Sequence, residues 1–285
     1  MTAIRWTALL LPATLALAPL ACGPDKPTTP PTTGPVASGD GGEDGATPDE
    51  PALDPGPPQE PDPAEIAQGR HEVLLGHYQA AIDLLNPVYD DLKTREQFHA
   101  SGMAGAWLAV AHAQIVFENA EEPATHAAAM ADRTGDAGLL AAAKLARGSI
   151  LLAEGDAAAA SQALVAAAAA EPTSVAAALA LVYDGEALIG TAFGGGRAII
   201  NPGHLDEAKE AYNNAATAAP GTGDEADALL GRADEGLAAI ADYQKDKDAT
   251  CKHAFASIDH YKAAGAADFL VSGPSELASK RKCKP

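Results

Sequence analysis

The segment HLDEAKEAYNNAATAAP places Leu205, Ala208, Tyr212, Ala215 and Ala219 at intervals of three and four. That spacing draws one stripe along an α-helix. Ala208 and Ala215 let a neighbouring helix approach closely, and Tyr212 fills the gap between them. Asp206, Glu207, Lys209 and Glu210 begin the wetter face. A single helical hairpin cannot cover such a stripe, so hairpins of this kind must stack. Only 5% of the chain is aromatic, so its core must come from small residues at close helix contacts.

The same intervals occur upstream. From Ala160 the steps to Leu164, Ala167 and Pro172 are 4, 3 and 5, and from Ala208 to Tyr212, Ala215 and Pro220 they are identical. KLARGSILLAEGDAAAASQALVAAAAAEP adds Gly148, Leu151 and Gly155 ahead of its stripe. AQGRHEVLLGHYQAAIDLL carries Gly69, Gly76, Tyr78 and Ala81 in the same order. These units resemble tetratricopeptide (TPR) repeats, departing from them at Lys144 and Arg147, where that family places large apolar residues. The resemblance implies an all-α chain, a TPR-like α-solenoid of about five helical hairpins over residues 64–270. Periodicity predicts the pairs 64–75 with 78–92, 99–118 with 121–133, 137–153 with 157–170, 174–193 with 204–219, and 224–244 with 250–265. Ala160 and Ala208 are 48 residues apart, so the fourth unit carries an insertion, residues 190–204.

Ahead of the repeats the chain changes character twice. Arg5 is the only charge in the first 21 residues, and Trp6–Leu20 is mostly apolar. As a helix those residues would span about 22 Å, short of a hydrocarbon core of about 30 Å. This is the pattern of an export signal over residues 1–21. Pro19-Leu20-Ala21-Cys22 resembles the lipobox of bacterial lipoproteins, with Pro19 where that family has Leu. The resemblance implies lipidation at Cys22. Residues 22–63 then read as a disordered tether: 12 of the 21 prolines lie between Pro24 and Pro63, among nine acidic residues and one base. No later segment is expected to be long and apolar enough to cross a membrane.

The formal charge of −20 argues against nucleic acid as a partner. Lys280, Arg281, Lys282 and Lys284 read as a solvated basic tail, residues 271–285. Cys251 and Cys283 remain as a pair, expected to form a disulfide in an exported chain and to pin that tail back onto the last helices.

Little in the sequence points to catalysis. HEVLLGH is not a zinc motif, because HExxH needs its second histidine where Leu75 stands. GTAFGGGRAIINPGH lacks the Lys-Ser/Thr pair and preceding strand of a phosphate loop. His112 has no partner constellation, and His253 and His260 read as surface residues. The expectation is no enzyme, no cofactor and no metal. Stacked hairpins offer a surface lined by their first helices, so Trp107, His112 and Tyr183 are candidate contacts for a protein partner in the cell envelope. The chain would face the periplasm, at the outer membrane. The insertion supplies a second set, Phe193, Arg197, Ile199 and Ile200. Its layout is similar to TPR lipoproteins that accompany TRAP-type solute transporters, which implies a small ligand as the alternative.

Overall fold

The computed structural model describes residues 58–194 and 198–284, all within one unit. It is all-α, with no strand among the described residues. Helices α1 (Ala64–Leu74) and α2 (Tyr78–Thr94) form the first pair. α3 (Phe98–Ile115) pairs with α4 (Glu121–Thr134), α5 (Ala137–Glu154) with α6 (Ala157–Ala170), and α7 (Val175–Phe193) with α8 (Gly203–Ala218). α9 (Ala226–Tyr243) pairs with α10 (Lys247–Ala264), and α11 (Asp268–Lys280) follows. The five pairs fall within a few residues of those expected from periodicity.

Local chemistry sets several of these ends. Asp136, Asp156, Ser174 and Asp246 each accept from the backbone N–H three residues on, capping α5, α6, α7 and α10. Gly155, at φ 88°, ends α5 in the left-handed region, where a side chain would be strained.

The odd-numbered helices of the pairs pack in sequence, α1 on α3, α3 on α5, α5 on α7 and α7 on α9. Each even-numbered helix from α2 to α8 lies against its own partner and the next odd one. The two sets differ in burial as that arrangement requires. Twelve of the 18 residues of α3 and 12 of the 19 of α7 are buried, against three of 14 in α6. Those three are Ala160, Leu164 and Ala167, the repeated stripe.

One contact recurs through the array. A glycine on an odd-numbered helix receives a bulky side chain from its partner: Gly69 takes Leu85, Gly148 takes Leu164, Gly185 takes Tyr212 and Gly231 takes Tyr261. A Cβ would lie 2.6 Å from the nearest side-chain atom at each of the last three. In α3 the equivalent close approach is Gly105 against the Pro123 carbonyl, 2.9 Å from where a Cβ would sit. Tyr212 is held on both sides, since Gly236 of α9 faces the same ring.

The first pair also meets the last. Arg232 of α9 donates through Nη2 to the Leu74 carbonyl (3.1 Å) and the Tyr78 hydroxyl (3.1 Å). Ala267 N donates to the Leu75 carbonyl at 2.8 Å. Arg70 pairs with Glu225 at 2.9 Å, and the Tyr78 and Phe269 rings lie 6.1 Å apart. Gly76, at φ 79°, leaves room for Leu270 and Phe269, whose atoms would crowd a Cβ at 2.9 Å.

Two expectations are corrected. Residues 271–285 are not a solvated tail: most of them continue α11, which packs on α10 and α9. Arg281 there pairs with Asp242. And α7 does have the length and apolarity of a membrane span, with 67% of that stretch buried within the helical array.

Candidate functional site

The six described candidate contact residues do not converge on one place. Trp107 and Tyr183 are 1% and 2% exposed. Most of each of their helices is buried, so these two side chains fill the interior and do not line an open concave face. Trp107 Nε1 has no hydrogen-bond partner among the described residues. His112 is part-buried and faces outward, into a groove among α2, α3 and α4.

The described insertion residues lie at the end of α7 and differ in burial. Phe193 packs edge-on against Tyr243, with ring centroids 4.8 Å apart. Ile199 and Ile200 are 40% and 60% exposed. Their segment is fastened to the end of α7: Ile200 N and Asn201 N both donate to the Ala192 carbonyl, and His204 bonds Thr191 at 2.8 Å. Arg197 lies outside the described residues, as do Cys22, the signal segment and nearly all of the tether. Cys251 and Cys283 form a disulfide, with Cα atoms 5.4 Å apart, joining α10 to the residues after α11.

His253 and His260 are not plain surface residues. Each is part-buried and bonded through Nδ1 to a carboxylate of α9, His253 to Asp234 (2.7 Å) and His260 to Asp227 (2.8 Å). These contacts tie α10 to α9 and assemble no metal-binding cluster among the described residues.

Two polar groupings escaped the sequence reading. Inside, Arg232 sits near Tyr78, Tyr183 and Tyr261, and Glu235 accepts from the Tyr261 hydroxyl at 2.7 Å. Burial pushes the Glu235 carboxyl up; the Tyr261 hydrogen bond and Arg232 oppose this without cancelling it. Asp184 of α7 is likewise pushed up by burial, with Ser161 donating to it at 2.5 Å. Such positions are invisible as a pattern, because spacing alone does not say which charged residue of a helix is turned inward.

Outside, the groove has Leu108 and Pro123 in its lining and Asp90, Glu118 and Glu122 among its polar groups. Tyr89 donates to both oxygens of Glu122 at 3.0 Å, and Lys93 pairs with the same carboxylate. Burial holds His112 below the usual histidine range, so its imidazole is neutral near pH 7.

One Ser–His contact exists nearby, Ser101 Oγ to His126 Nε2 at 3.0 Å. Ser101 is 1% exposed, and its hydroxyl also reaches the Phe98 carbonyl, so no substrate carbonyl can approach it. What the arrangement offers is surface. No protein family matches the chain, and none of the curated proteins matches it.

Proposed function

We propose that this chain is a TPR-like scaffold, held at a membrane by lipid on Cys22, facing the periplasm and binding a protein partner of the cell envelope. The observation that carries the reading is the recurring glycine socket. Four helix pairs insert a bulky residue against a glycine of the partner helix, and the pair α3–α4 makes the same close approach at Gly105. Regular stacking of this kind serves to present surface. The filling of α3 and α7 directs recognition to outward faces and favours a protein partner over an enclosed small ligand. The exposure of Ile199 and Ile200, and the packing of Phe193 on Tyr243, favour it further.

Cross-linking in intact envelopes tests the partner. A discrete protein adduct is expected; a purified chain that retains a small molecule and yields no adduct would sink the scaffold reading. The anchor has a separate test. Cys22→Ser is expected to move the chain from the membrane fraction to the soluble one, and unchanged fractionation would refute lipidation.

A further inference from the structure

The outward groove among α2, α3 and α4 continues into an apolar step. His112 and Glu118 both line the groove, and between them run Ile115, Val116 and Phe117, at 47%, 44% and 36% exposure. Ile115 ends α3, which is otherwise mostly buried, and Val116 and Phe117 follow it directly. Packing among the described residues leaves them exposed, and contiguous exposed apolar residues mark contact surfaces.

The charge beside them has one sign. Asp90 and Glu118 are exposed and form no ion pair among the described residues, and Glu122 is matched by Lys93 alone. The neutral imidazole of His112 adds no positive charge. Three carboxylates against one ammonium leave a net of −2 next to an apolar step. A segment that fits both must present a cation and an apolar side chain together.

We propose that this groove and step are the docking surface of the scaffold, and that the partner engages them with a basic amphipathic segment, Lys or Arg beside apolar residues. This rests on the scaffold reading and adds the place and chemistry of the contact. A partner cation sits between Asp90 and Glu118, while its apolar neighbour covers Phe117 and Ile115. Opposite charge steers encounter, and the apolar step supplies the desolvated centre.

The test uses the full chain in detergent and a fluorescent synthetic peptide of leucine and lysine at helical spacing, followed by anisotropy. Asp90→Lys with Glu118→Lys, and separately Phe117→Ser, are each expected to weaken binding about tenfold or more. Glu210→Lys together with Glu207→Lys, both exposed on α8, makes the same change in net charge away from the groove and is expected to leave binding within about twofold. Unchanged circular dichroism melting confirms that the variants fold. No binding by the unaltered chain, or equal loss with Glu210→Lys and Glu207→Lys together, overturns the proposal. So does self-association that Lys282→Glu abolishes, because the occupant would then be a second copy. A photo-cross-linker at position 117 and another at exposed Val165 separate the two readings. An adduct from 165 alone removes this docking surface and keeps the scaffold; adducts from neither, nor from any other exposed position, remove the scaffold as well.

Discussion

Gly185 shows how strongly single positions are constrained here. A methyl group added there would meet the Tyr212 ring, which cannot retreat because Gly236 stands on its other side. Helix propensity favours alanine by up to about 1 kcal/mol, but overpacking costs about 1–3 kcal/mol. Gly185→Ala is therefore expected to lower the melting temperature, and Tyr212→Leu in the same chain to recover part of the loss. Glu235 makes a different prediction, about pH. Its carboxyl is raised by burial, so the folded chain keeps a proton that the unfolded chain has released. Its contribution is present below the ordinary carboxylate range and is lost as pH rises through the raised value. Glu235→Gln is expected to flatten the fall in stability with rising pH, measured by thermal melts between about pH 4 and 7. A slope equal to that of the unaltered chain would show that Glu235 is not its source.

Helices were the legible level of this chain. Intervals of three and four located the five pairs, because a period of 3.6 survives in any amphipathic helix. The sockets at Gly69 and Gly148 stood in sequence beside their repeats. Those at Gly105, Gly185 and Gly231 did not, because the longer second and fourth units shift the register. The helix α11 was missed for a local reason: Pro274 lies inside it and reads as a breaker. One lost backbone bond is tolerated there because Pro274 is buried as part of the packed face. Trp107 and Tyr183 were expected on a contact surface and are instead buried, because burial depends on neighbours that sequence spacing does not specify. For α11 the disulfide closes a separation of 32 residues. Replacing Cys251 and Cys283 by serine is expected to cost about 3–4 kcal/mol in the chain-entropy account. Limited proteolysis should then release α11 before the pairs are cut.

Across the whole helical array, the most consequential contact joins residues far apart in sequence. Arg232 reaches the carbonyls of Val73 and Leu74, acceptors that carry no sequence identity, so no pattern could announce them. Arg232→Leu removes the donor of the Leu74 carbonyl, at about 1–3 kcal/mol for such a group, while the Val73 carbonyl keeps the Gly76 N–H. Hydrogen exchange should quicken in α1 and α9 together while α5 stays protected. Loss confined to α9 would mean that the two ends do not support one another. The Arg70–Glu225 pair is partly exposed, and removing it is expected to cost under about 1 kcal/mol. An open stack of hairpins can lengthen or shorten by one unit at either end, each new neighbour being interchangeable with the last. Here the turn after α1 is already occupied by Arg232, Leu270 and Phe269. Inserting or deleting a pair would rotate those groups away from it. Among the described residues, the contact between the first pair and the last thus ties the set of five pairs together, so that a pair added or lost between them would cost that contact, whereas a longer connection, as between α7 and α8, would not.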